Sequence, residues 1–321
     1  MERVVEPSAK AAPWRRHSEW IAFGVMLVAL MLAPLVVYPL FLMQCLCFAL
    51  FACAFNLLIG YVGLLSFGHA LYFGWASYLS AYAAKAWGLP PELAILTGTA
   101  TAAILGTVAG SLAIRRQGIY FAMITLALAQ MMYFFAVQAK FTGGEDGIQA
   151  VPRGKFIGLF NLQNEMTMYF FVLAIFVAGF LFIHRIIHSP FGEVLKAIRE
   201  NEPRAISLGY KTDRYKLVAF ILSATLAGLA GSTKAIVVQI ASLTDVNWPM
   251  SGEVVLMSLV GGLGTIFGPV VGSFVILIMQ YKLAFLGEWV LVIQGVIFVA
   301  CVLLFRRGLI GELAHWLRIK L

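Results

Sequence analysis

Few residues in this chain have the types and spacing that chemistry needs. His184 and His188 stand four apart, which would put both imidazoles on one helix face, the start of a metal-ligand set. A metal needs further ligands, and the neighbouring sequence offers none, so the pair reads as interfacial and no metal site is expected. Ser66 and His69 lie within one helical turn, but no carboxylate lies near them in sequence to complete a nucleophile–base–acid arrangement. Gly231-Ser232-Thr233-Lys234 has the composition of a phosphate-binding loop in the wrong order, and G-x-x-x-x-G-K-[ST] occurs nowhere, so ATP is not expected to bind here. The ionisable residues within or beside apolar runs are Lys234, Asp245 and Glu253. Such residues mark transport routes by default, and a Lys234–Glu253 pair is one way to neutralise them. These residues point away from an enzyme.

The elements that must carry these groups are apolar helices. Hydrophobic residues make up 61% of the 321, charged residues 12%, and the mean hydropathy is +0.91. Soluble domains carry about 45–50% apolar and about 25% charged residues. The apolar runs are continuous rather than alternating, which excludes a membrane β-barrel. An all-α polytopic membrane protein is expected, with about ten spans near 20–40, 42–60, 64–87, 93–114, 118–138, 167–187, 216–238, 250–263, 266–282 and 288–305. Its flanks are a polar arm, 1–19, and a tail, 306–321. The four cysteines sit in apolar runs and act as small hydrophobes, not as a disulfide framework. The first apolar run is too long for a cleavable signal peptide.

The net charge of +8 could suggest nucleic acid or anionic lipid as a partner, but its placement reads as topology. Seventeen of the 23 Lys and Arg fall in the arm, at Arg115-Arg116, in the 185–216 segment and in the tail. With an even number of crossings these segments share the cytoplasmic side, termini included, as the positive-inside rule demands. No nucleic-acid partner is expected.

Two regions interrupt the clean spans. Gly60 to Gly74 holds four glycines, and Met250 to Gly272 holds six and Pro269. The apolar piece 254–263 would make only about 15 Å of helix, against a core of about 30 Å. It must be kinked, unwound or shielded by protein. Paired interruptions of this kind point to a transport pathway, and with the ionisable residues they nominate Ser66, His69, Lys234, Glu253, Gly261 and Gly262. The alternative use of such glycines is packing, as for the four-residue recurrences Gly98, Ala102, Gly106, Gly110 and Gly264, Gly268, Gly272. The outer loop, 139–166, has the Gly-Gly, acidic-pair and Pro marks of a folded turn, placed to rest on the membrane or to receive a partner.

The most distinctive polar segment is HSPFGEVLKAIRENEPRAISLGYKTDRYK, 188–216. Pro190 and Gly192 end the sixth span. EVLKAIRE puts Val194, Leu195 and Ile198 on one face; Asn201-Glu202-Pro203 breaks that helix and starts another, which Gly209 stops. The second short helix should offer an apolar edge of Ala205, Ile206 and Leu208, flanked by Arg199, Glu200 and Arg204 at the rim. The alternative is a solvated hairpin that covers the membrane surface.

SPFGEVLKAIRENEPRAISLGY resembles the cytoplasmic segment of LivM-type permease subunits of branched-chain amino-acid ABC transporters. LIGYVGLLSFGHALYFG, QGIYFAMITLALAQ, FTGGEDGI and SLVGGLGTIFGPVVG are also similar, in order, from about residue 55 to 275. The resemblance implies a bacterial inner-membrane protein that pairs with a second, LivH-type permease, two cytoplasmic ATPase subunits and an extracytoplasmic binding protein. ATP and Mg would then reside on the partners, with no cofactor in this chain. The coupling segment would be Arg199 to Gly209, around the helix from Glu202. The EAA triplet of other importer permeases is absent, so individual roles are not carried over within the loop. Related permeases serve branched-chain amino acids, urea, short amides or aromatic acids. An ion-coupled secondary transporter is the rival, although charge is scarce in the spans.

Overall fold

The computed structural model describes residues 14–156, 158, 160–287, 289–304 and 308–316. Much of the expected polar arm and part of the tail therefore lie outside the described residues. Among the described residues fourteen α-helices follow in order: α1 Trp14–Leu32, α2 Pro39–Tyr61, α3 His69–Lys85, α4 Pro91–Ala113, α5 Ile119–Gln138, α6 Glu165–Ile187, α7 Pro190–Glu200, α8 Glu202–Ser207, α9 Thr212–Val238, α10 Leu243–Val246, α11 Trp248–Gly261, α12 Gly268–Leu283, α13 Trp289–Leu304 and α14 Gly308–Trp316. Each expected span overlaps a helix, but the first, expected at 20–40, is instead Trp14–Leu32, because the chain turns at Ala33–Leu35 and a new helix starts at Pro39. Among the described residues, five helices are long and apolar enough to cross a membrane: α2, α4, α5, α6 and α9. The others are shorter, and α11 and α12 reach only about 21 and 24 Å.

Helix α2 is the centre of the bundle, enclosed on all sides, whereas α4 and α5 lie at the periphery. Ile104, Val108 and Leu112 of α4 and Ile119, Met123 and Phe134 of α5 are exposed. A continuous apolar exterior of this kind suits lipid, not water. Helix α9 packs against α2, α3 and α4. Its 27 residues make about 40 Å of helix, longer than a bilayer core of about 30 Å, so its ends project beyond the apolar layer.

The small-residue recurrences are packing notches. A Cβ on Gly98 would lie 2.4 Å from the Ala76 carbonyl, one on Gly106 2.6 Å from Ala224, and one on Gly228 2.2 Å from Ala102, so glycine is what lets α3, α4 and α9 close together. Gly272 and Gly261 serve the α11–α12 hairpin in the same way, against Met257 and Gly268 backbone oxygens.

The two ends of the bundle differ. At one end the 139–166 loop folds onto helix termini. Its strand β1 (Ile148–Gln149) pairs antiparallel with β4 (Ile240–Ala241), while β2 (Lys155–Phe156) pairs with β3 (Phe160–Asn161). Lys85 donates to the Gln149 carbonyl at 2.7 Å, and Arg153 to the Val237 carbonyl at 2.8 Å, placing a cation on the negative end of α9. At the other end lie the 188–211 insert, the 62–68 segment and the α11–α12 break.

Candidate functional site

The insert folds as two capped helices. The Ser189 hydroxyl accepts from Gly192 N and opens α7; the Asn201 side chain accepts from Arg204 N and opens α8, with Pro203 in its first turn. Gly209, at φ +90°, turns the chain out of α8, where Tyr210 N returns to the Ala205 carbonyl. Leu195 and Ile198 of α7 are buried, with Val194 half-buried beside them. On α8 the expected apolar edge is divided. Ile206 and Leu208 are exposed (55% and 68%), but Ala205 is buried, and its carbonyl accepts from Tyr210 N. Glu200, Asn201, Pro203, Arg204 and Gly209 are exposed around that edge.

Helix α8 is not loosely hung. Glu202 at its first turn forms an ion pair with Lys216 on α9, whose side chain is only 2% exposed. Phe191 stacks on Tyr215, and Tyr210 meets the same ring edge-on, joining α7 and the insert's exit to α9. Arg199 does more than line a rim. It donates to the Gly60 carbonyl at the end of α2 and stands against Gly63 and Gly264. The insert thus grips α9, α2 and the α11–α12 break together.

That break spans 262–267. Asn56, buried in α2, donates to the Thr265 carbonyl at 2.9 Å and accepts from Gly264 N at 3.0 Å. The Thr265 hydroxyl donates to the Gly262 carbonyl and accepts from Gly268 N. Unwound backbone inside an apolar bundle is tolerated because these side chains replace the missing helical bonds. Gly262 and Gly264 have φ of +120° and +76°, and Gly308 of α14 lies directly on Gly262. Gly261 and Gly262 are therefore buried hinge-like positions in the interior packing.

The other pathway candidates separate. Ser66 and His69 do not bond: residues 62–68 are not helical, and the Ser66 hydroxyl instead accepts from Gly68 N. His69 points the other way, with Nε2 2.8 Å from the Ser223 hydroxyl on α9. Ser223 spends its proton on the Ala54 carbonyl, so Nε2 is the donor. His69 Nδ1 has no partner among the described residues and faces Phe55, Tyr72 and Phe220. Lys234 pairs with Asp245 at 2.6 Å rather than with Glu253. Helix α10 packs against α3 and α5 and brings Asp245 to Lys234, whereas Glu253, on α11, faces Gln280. Lys234 and Asp245 therefore neutralise each other near the loop end of the bundle.

Three contributors carry little sequence signal. Asn56 is the one recognisable case, as a lone amide within an apolar run that must find partners. Lys216 stands at the start of a span like any flanking cation. Glu19, on α1, places Oε2 3.4 Å from Nε2 of both His184 and His188, a third group that their local sequence does not contain.

The branched-chain amino acid transport system / permease component family matches residues 38–302, most of the chain. The chain belongs to that family. Among curated relatives, this permease is 24% identical over 288 residues to the high-affinity branched-chain amino acid transport system permease protein LivM of Escherichia coli K12, covering 83% of this chain and 68% of the relative. It is 25% identical to a probable branched-chain amino acid transport permease protein LivH of Methanocaldococcus jannaschii, over 76% of this chain and 81% of that one. It is also similar to the ribose import permease protein RbsC of Bacillus subtilis, at 28% identity over 68% and 70% of the two chains. No solved structure matches it. The permease is thus a member of a transport family built from apolar helices, and its relatives are transporter subunits rather than enzymes.

Proposed function

We propose that this permease is a membrane-spanning subunit of an ATP-binding-cassette importer that carries branched-chain amino acids or related small polar solutes inward. Two separate ATPase subunits drive it through α8, and a LivH-type permease and an extracytoplasmic binding protein complete the assembly. ATP and Mg belong to the ATPase partners. The observation that carries the reading is the exposed Ile206–Leu208 edge on a helix clamped by Glu202–Lys216 to the central packing helix α9. A partner that moves this edge moves α9, and through Arg199 also the ends of α2 and the α11–α12 break.

In this reading the chain crosses ten times, through α1 to α6, α9, α11, α12 and α13, in a bacterial inner membrane. Contacts between segment ends support it: the start of α1 meets the end of α6, Arg199 meets Gly60 and Gly264, and Gly308 meets Gly262. At the opposite end, Tyr38 meets Glu165 and Lys85 meets the outer loop. Both termini then share the cytoplasmic side with the insert, where the Lys and Arg concentrate.

The buried Lys234–Asp245 pair is the one feature that favours ion-coupled secondary transport. Uptake of labelled leucine by reconstituted vesicles separates the two. Uptake that requires the ATPase subunits and ATP supports the importer; uptake by this chain alone under an ion gradient overturns it.

A further inference from the structure

The antiparallel contact of α1 with α6 ends in a cluster that the transport reading does not use. Trp20 lies against the His184 ring at 5.5 Å, Phe23 stacks on Phe180 at 5.8 Å, and Tyr169 donates to the Leu30 carbonyl further along. These contacts fix the faces of both helices. At the end of the contact, Glu19 Oε2 faces His184 Nε2 and His188 Nε2, 3.4 Å from each, and all three atoms lie within 4.8 Å of one another.

We propose that Glu19, His184 and His188 bind a divalent transition-metal ion of the zinc type. Geometry is the first argument. Bonds of about 2.0–2.1 Å in a tetrahedral zinc site put ligand atoms about 3.3–3.4 Å apart, which is the separation of Glu19 Oε2 from both imidazole nitrogens. The second argument is the proton on His188. Its Nδ1 is 2.9 Å from the His184 carbonyl, which can only accept, so Nδ1 carries hydrogen and the lone pair of a neutral ring is on Nε2. That lone pair then faces a carboxylate oxygen, an arrangement that a shared positive charge satisfies, whether a metal ion or a second proton on the ring. A metal-bound imidazole whose other nitrogen donates to a carbonyl is also the usual outer support of such a site.

Two imidazoles and one carboxylate favour zinc-like ions over calcium or magnesium, which take oxygen ligands. The C-terminal end of α6, where both histidines sit, favours positive charge. The side chains are 20%, 22% and 42% exposed for His184, Glu19 and His188, so water can supply a fourth ligand and the ion can exchange. His188 is followed directly by Ser189 and Pro190, which open α7. An ion here staples α1 to the root of the insert. The site stands on its own geometry and does not depend on which solute is carried or what drives transport.

The test uses the full-length, untagged chain in detergent, stripped with a chelator and titrated calorimetrically with Zn²⁺, then with Co²⁺ to read coordination from its visible spectrum. The expected result is one Zn²⁺ per chain and a tetrahedral Co²⁺ spectrum. Glu19→Gln, His184→Gln and His188→Gln should each weaken binding by more than the roughly 10–100-fold that loss of an outer supporting hydrogen bond costs. Circular dichroism confirms that each variant is folded, and Glu19→Gln keeps the size of the side chain. Absence of stoichiometric Zn²⁺ binding by the wild-type chain overturns the proposal. So does binding that all three folded variants retain, or an octahedral Co²⁺ spectrum unchanged by them. In those cases the three groups form a carboxylate–imidazole cluster held by protons alone.

Discussion

Removing the Glu202 charge should free α8 while leaving the bundle intact. In Glu202→Gln, Lys216, whose side chain is 2% exposed, loses the carboxylate it pairs with. Breaking one side of a buried pair costs about 3–5 kcal/mol, and the 17% exposure of Glu202 argues for the lower end. A six-residue helix cannot stand alone. The loss therefore falls on the docking of α8, whose other anchor is the small side chain of Ala205. About 3 kcal/mol corresponds to roughly 150-fold in a local equilibrium. Amide hydrogen exchange in nanodiscs should show residues 204–209 opening about a hundredfold more often, with α2 and α9 unchanged. The double variant Glu202→Gln/Lys216→Met removes the stranded charge and should recover part of the protection. Unchanged exchange at 204–209 in Glu202→Gln would refute the reasoning, as would a double variant no better protected than the single one. In the reconstituted importer the single variant should hydrolyse ATP but import less solute per ATP.

Asn56→Leu strands the Thr265 carbonyl and Gly264 N inside the bundle; at about 1–3 kcal/mol for each orphaned group, thermal unfolding in detergent should shift clearly downward. Leu208→Asp, at an exposed position, should leave the unfolding midpoint within error yet uncouple ATP hydrolysis from uptake, while Ala205→Asp should also disturb the insert itself. Gly231→Ala drives a Cβ to within 2.0 Å of the Phe73 carbonyl oxygen and should destabilise by about 1–3 kcal/mol or more, whereas Gly252→Ala meets nothing and should be neutral or stabilising in the same melt.

Local physics made much of this permease legible before any fold was known. A bilayer leaves backbone groups no partner but the chain itself, so each long apolar run had to become a helix, and the expected spans overlap observed helices, most within about five residues, while the first, 20–40, overran α1, which ends at Leu32 before the turn at 33–38. The insert's punctuation was equally local. Pro190, Asn201, Pro203 and Gly209 act on backbone one to four residues away, so the two short helices and their limits followed from composition. The short apolar piece 254–263 had to be kinked, unwound or shielded; it stays helical to Gly261, and the chain unwinds over 262–267.

Pairing across the bundle was another matter. Which acid meets Lys234 depends on where α10 packs, and the sequence offered Glu253 as its partner where the structure has Asp245. That Ala205 is buried while Ile206 and Leu208 stay exposed depends on how α8 packs against α7 and α9. The use of Arg199 as a tie to Gly60, and the arrival of Glu19 beside two histidines 165 or more residues away, depend on helices meeting that are far apart in the chain. Helical periodicity says which residues share a face but not which face meets which. The sequence alone determined the long apolar helices, most of their limits and the polar insert between them, because those follow from contacts within a few residues and from the solvent. Tertiary packing decided the partners of every buried charge, because only there do distant side chains compete for the same space.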